Sequence, residues 1–89
     1  MRKYKMLVRT YLAGWVRRTR GAKAFTQEEM SEQLRMSARA YSDLEHEKSG
    51  LSAATLMFYL AVLSEEDILL LIAQFREEFR QAEESEKAP

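Results

Sequence analysis

Two helix-start signals stand eleven residues apart near the middle of the chain, and they dictate two short helices joined by a tight turn. The first, Thr26-Gln27-Glu28-Glu29, has the Thr-x-x-Glu form of a capping box, in which each side chain satisfies a free backbone amide of the other residue. Phe25 before it and Met30 within it make a hydrophobic staple, so a helix starts at Gln27, and Leu34 closes its apolar face. The second signal is Ser37, an N-cap that opens a helix over residues 38–45 with Tyr41 and Leu44 facing inward. Only Arg35 and Met36 separate Leu34 from Ser37, which predicts a large crossing angle.

Helical periodicity continues on both sides of this pair. From Tyr4 to about Arg20, Leu7, Val8, Tyr11, Leu12, Trp15 and Val16 recur three and four apart, with Trp15 and Tyr41 expected in the core. Gly14 weakens this helix by about 1 kcal/mol relative to Ala unless it marks a close contact, and Gly21 is the expected stop. Gly50 punctuates the chain after the central pair. Ser52 caps a fourth helix carrying Leu56, Tyr59, Leu60 and Leu63, and Ser64 with Asp67 reads as a second capping box opening a fifth. The last apolar stripe, Ile68, Leu71, Ile72, Phe75 and Phe79, is widened by Leu69 and Leu70, which calls for more than one packing partner. The fold class is therefore all-α, five helices with an extended first and an amphipathic last helix, in one domain over residues 1–80. Residues 81–89 are charged, lack large apolar side chains and are expected to fray.

Charge is polarised. The 89 residues carry 14 basic and 14 acidic side chains, yet residues 1–23 hold eight of the basic ones and no acid. A neutral chain of this kind can still present one positive surface to a polyanion. Zero Cys excludes a disulfide framework, and the one His, His46, between Glu45 and Glu47, reads as a surface residue with no metal partner. Glu28, Glu29 and Glu32 read as acids that complement a helix N-terminus, not as a hydrolytic pair. No metal, cofactor or small-molecule substrate is expected. The longest apolar run, Leu56 to Leu63, is too short to span a bilayer, and no signal-peptide pattern opens the chain, so a soluble cytoplasmic protein is expected. The basic first helix also has the composition of a membrane-surface helix, but its apolar residues are needed for the core of so short a chain.

Taken together, Thr26 to Met30, Leu34, Ser37, Tyr41 and Leu44-Glu45 resemble the helix-turn-helix domain of phage Cro and repressor proteins and their bacterial XRE-type relatives, over roughly residues 15–63. The resemblance implies a repressor-like domain with helix 38–45 in the DNA major groove and helix 27–34 across the backbone. It implies that Gln27 anchors at phosphate, that Ala38, Arg39, Ser42 and Asp43 face base edges, and that Arg20 and Glu45 form a structural ion pair. Arg35 stands where the family usually has a turn glycine, and Glu47 where the next loop often has one. A left-handed backbone at Arg35 costs about 1 kcal/mol, which a longer regular turn avoids.

The residues themselves agree in part. Arg39 has the fork that matches the two acceptors of guanine, and Ala38 can touch a thymine methyl, whereas Asp43 and Glu47 are repelled by phosphate. Positive charge is then expected from Arg17, Arg18, Arg20 and Lys23. The expected function is a non-enzymatic transcriptional regulator that binds double-stranded DNA as a homodimer, with Ile68, Leu71, Ile72, Phe75 and Phe79 either covering the domain's own core or forming the two-fold interface. The competing expectation is a protein-interaction module on the same scaffold without DNA readout.

Overall fold

Each of the three central capping residues starts its helix as the sequence predicts. In the computed structural model, which describes residues 2–87, Thr26 Oγ1 accepts from the Glu29 amide at 3.1 Å while Glu29 Oε1 accepts from the Thr26 amide at 2.8 Å. Ser37 and Ser52 accept from the Ala40 and Thr55 amides, both at 3.1 Å. The resulting order is α1 (Arg2–Ala22), α2 (Gln27–Gln33), α3 (Ala38–Glu45), α4 (Ala53–Val62) and α5 (Glu65–Lys87), an all-α domain with no strand among the described residues. At Ser64 only half of the expected box forms, the Asp67 amide donating to Ser64 Oγ at 3.1 Å.

The core sits where the inner faces of the helices meet. Leu12, Trp15 and Val16 of α1, Met30 of α2 with Leu34 just beyond it, Tyr41 and Leu44 of α3, Tyr59 of α4 and Leu71 of α5 are buried in one cluster, with Phe25 packed against it. Burying each such side chain contributes about 1.5–3 kcal/mol against the entropy of ordering the chain. The Trp15 and Tyr41 expectations thus hold.

α1, α2 and α3 all end in the same way. After each, one amide reaches back five residues and the preceding amide reaches back three: Phe25 to Arg20 and Ala24 to Gly21, Met36 to Ser31 and Arg35 to Glu32, Lys48 to Asp43 and Glu47 to Leu44. These Schellman closures need a left-handed residue, and glycine supplies none of them. Ala24, Arg35 and Glu47 do, at φ of 56°, 58° and 63°. Gly21, the expected stop, lies inside α1, three residues before the left-handed position. The left-handed backbone at Arg35 shows that no longer, regular turn relieves the strain. Gly14 marks no close approach either, since a Cβ there would meet only the Arg17 guanidinium, 4.0 Å away.

α1 and α5 lie antiparallel. Tyr11 donates its hydroxyl to the Leu71 carbonyl at 2.6 Å and its ring lies 5.3 Å from that of Phe75. One end of this pair continues with Tyr4 against Phe79 at 5.5 Å and Lys3 against Glu86 at 3.2 Å. The segment from Gln81 onward, expected to fray, is helical to Lys87; Ala88 and Pro89 of the expected tail lie outside the described residues. Its order has a tertiary source, the contacts with the start of α1, and a local one, Arg80 bridging Glu77 and Glu84 at 2.5 Å each. Among the described residues no helix is long and apolar enough to cross a membrane.

Candidate nucleic-acid interface

Glu45, the last residue of α3, is buried, and its carboxylate is the point where three helices meet. Arg20 of α1 donates Nε to Oε2 at 2.5 Å and Nη2 to Oε1 at 3.3 Å, and Gln27 of α2 donates Nε2 to Oε1 at 3.0 Å. The Tyr41 hydroxyl, one turn earlier on α3, donates to Oε2. Arg17 donates to the Glu45 backbone carbonyl, and Arg20 reaches the Phe25 carbonyl with Nη1 at 3.2 Å. The Arg20–Glu45 pair implied by the family resemblance is thus present.

The electrostatics follow from burial and from these donors. Burial pushes the Glu45 carboxyl up, but the hydrogen bonds from Arg20, Tyr41 and Gln27 outweigh it and hold it below its ordinary range. The hydrogen bond to Glu45 raises Arg20, and burial drives Tyr41 well above the usual phenol range, with Glu45 adding to the rise. Glu45 is therefore ionised and satisfied, which a buried carboxylate requires.

With its inner face locked, α3 presents the opposite one. Ala38 and Arg39 are exposed on its first turn, and Ser42 and Asp43 are half-buried one turn on. At the helix C-cap, His46 Nδ1 lies 2.8 Å from the Ser42 carbonyl. Lys23 is exposed just beyond α1, and the exposed Arg18 places its guanidinium 4.8 Å from the Trp15 ring centroid. Gln27 and Arg17, both expected on phosphate, are held through Glu45. Among the described residues one N–H on Gln27 Nε2 and the remaining Arg17 donors have no hydrogen-bond partner.

Several residues of this arrangement escape sequence reasoning. The Tyr41–Glu45 contact has a legible signal, since a spacing of four on one helix puts both on one face. The bond from Thr10 Oγ1 to Glu47 Oε1 at 2.6 Å, which ties the loop after α3 to α1, has none. Arg35, read in the sequence only as a turn position, is exposed in the turn before α3, with Nη1 on the Glu32 carbonyl at 3.0 Å.

No protein-family model, curated protein or solved structure matches this chain.

Proposed function

We propose that the chain is a small DNA-binding transcriptional regulator of the Cro and repressor helix-turn-helix type, acting as a homodimer on double-stranded DNA. Under this reading α2 and α3 are the helix-turn-helix, α3 enters the major groove with Arg39 as its base-reading side chain, and α2 crosses the backbone from Gln27. One observation carries the reading. The start of α2, the basic end of α1 and the C-terminus of α3 are drawn together on the single buried residue Glu45. That convergence places Arg17 and Gln27 beside the helix whose outer face holds Arg39, so phosphate-binding and base-reading groups sit on one rigid body. Control then comes from concentration or from a partner, with occupancy of an operator as the regulatory act.

Binding to random-sequence duplex DNA over a series of salt concentrations tests this. Affinity is expected to fall linearly on a log–log plot, and sequence selection with the wild type is expected to yield a preference that Arg39→Ala loses, at about 1–3 kcal/mol for the base pair concerned. No binding at low salt, or binding indifferent to salt, overturns the proposal.

A second reading, the protein-interaction module, has one observation in its favour. Gln27 and Arg17 are already engaged by Glu45, and Asp43 adds negative charge to the outer face of α3. It predicts the failure to bind DNA that overturns the first reading.

A further inference from the structure

Two open hollows share Val8 and Leu12 of α1 as a common wall. The larger, about 500 Å³, is also bounded by Lys5 and Arg9 of α1 and by Gly50 and Leu51 of the loop before α4. The smaller, about 190 Å³, is also bounded by Leu56 of α4 and by Ile72 and Phe75 of α5. No residue of α2 or α3 lines either one. Polarity changes along the trench that the two form. At 3.6 residues per turn, Val8 and Leu12 lie between a Tyr4–Tyr11 edge of α1 and a Lys5–Arg9 edge. The tyrosine edge packs on Phe79 and Phe75 of α5. The cationic edge lies toward the loop, with Arg9 Nε 3.8 Å from where a Cβ on Gly50 would stand. Among the described residues neither Lys5 nor Arg9 has a carboxylate within ion-pair distance, and no acid lines either hollow. At the α5 end the walls expose no polar atom, the Tyr11 hydroxyl being turned onto the Leu71 carbonyl at 2.6 Å. Val8 and Ile72 stay 39 % and 44 % exposed there although both are apolar.

We propose that this trench binds one single-chain anionic amphiphile of the fatty-carboxylate class, its head on Lys5 and Arg9 and its alkyl chain laid over Val8 and Leu12 toward Ile72 and Phe75. Three arguments select this occupant. The larger hollow has the size and make-up of a small-molecule site, which is about 300–1,000 Å³, mostly apolar, with a few convergent polar groups. Charge fixes the head. The Arg9 fork and the Lys5 ammonium suit a carboxylate, while Glu83 and Glu86 lie close to the Tyr4 hydroxyl at the opposite edge, with Glu86 also held by Lys3. The apolar end fixes the tail. An alkyl chain brings no polar group to walls that expose none, whereas an extended peptide brings backbone amides that go unpaired there. A bilayer is the weaker match, because it favours an apolar face flanked by basic residues on both sides and the α5 flank carries Glu83 and Glu86.

This inference goes beyond the proposed function and holds whether or not α3 reads DNA. The ligand is bound and not turned over. Calorimetric titration of the full chain with dodecanoate, kept below its micelle threshold, reads it directly. Saturable binding of one dodecanoate per protomer is expected. Dodecyltrimethylammonium has the same tail with the opposite charge, and butyrate the same head with almost no tail. Each is expected to bind about tenfold or more weakly than dodecanoate.

Two variants probe the two ends of the trench. The double variant Lys5→Gln with Arg9→Gln removes the head contacts, and Val8→Asp sets a carboxylate in the path of the tail. Each is expected to weaken dodecanoate about tenfold or more with the helical circular dichroism unchanged. Leu69→Glu, at an exposed position outside both hollows, is expected to bind as the wild type does. Absence of saturable binding overturns the inference, as does uptake of several chains per protomer, equal affinity for the cationic amphiphile, or indifference to the double variant. A dimer in sedimentation that takes up no dodecanoate overturns it in favour of a second copy of the chain. Protein that ignores monomeric dodecanoate and binds phosphatidylglycerol vesicles overturns it in favour of a lipid surface.

Discussion

Arg20 of α1 and Glu45 of α3 are twenty-five positions apart and meet through two hydrogen bonds, one on each carboxylate oxygen, with the Glu45 side chain 4 % exposed and that of Arg20 28 %. Removing the cation leaves a buried carboxylate with only Tyr41 and Gln27 as side-chain partners. Arg20→Ala is expected to cost about 3 kcal/mol in urea denaturation, because the loss of one partner strands the other. Arg20→Lys recovers the charge and not the fork, so it is expected to fall between the two.

The same pair sets the acid limb of stability. The folded Glu45 carboxyl lies below its ordinary value of 4.5, so the unfolded chain binds its proton first as pH falls. Its stabilisation is complete above that value and is lost as pH drops through the lowered folded one. Thermal melts from pH 6 to about pH 2 are expected to show a fall in Tm that is shallower in Glu45→Gln, whose own stability is lower at neutral pH.

An alkaline limb comes from Tyr59. Burial pushes its phenol up to about 12, and its hydroxyl lies 2.8 Å from Thr19 Oγ1, which in turn lies 2.9 Å from the Trp15 carbonyl. The unfolded phenol ionises near 10.0, so stability is full below that pH and declines as pH rises toward 12. Thr19→Val removes the partner of a buried hydroxyl and is expected to cost about 1–3 kcal/mol by chemical denaturation.

Two glycine exchanges are expected to stabilise the fold in opposite directions of substitution. Gly14 is inside α1 with room for a Cβ, so Gly14→Ala is expected to gain about 1 kcal/mol. Arg35 holds a φ of 58° in the closure after α2, and its side chain adds only an exposed hydrogen bond to the Glu32 carbonyl, so Arg35→Gly is expected to gain about 1 kcal/mol. Glu47→Gly removes the same kind of strain but also the Thr10 bond, and its net change in the urea midpoint is expected to be near zero.

Under the proposed DNA-binding function, two cations that are equivalent in the sequence differ in their expected effects. Lys23 is exposed, whereas Arg17 is bonded to the Glu45 carbonyl. Lys23→Ala is expected to weaken duplex binding and reduce the salt slope by about 1 while the melting temperature holds. Arg17→Ala is expected to lower both, measured side by side by fluorescence anisotropy and thermal melting.

Local sequence sets where α2, α3 and α4 begin, because a cap is a contact between residues three apart: Thr26 with Glu29, Ser37 with Ala40, Ser52 with Thr55. It determined the all-α class and the core faces carrying Trp15, Tyr41 and Tyr59, because 3.6-residue periodicity is local too. Other features depend on how the helices pack. The last turns of α5 owe part of their order to Arg80 at helical spacing from Glu77 and Glu84, which is local, and part to Lys3 and Tyr4, more than eighty positions from Glu86, which no nearby pattern encodes. Whether Leu71 or Leu69 faces α1 depends on how two helices pack, since a stripe wider than one face leaves the choice to the neighbour. The side chains of Gln27 and Arg17 turned toward Glu45 for the same reason: a buried carboxylate recruits the donors within reach, and which donors are within reach is a property of the assembled helices.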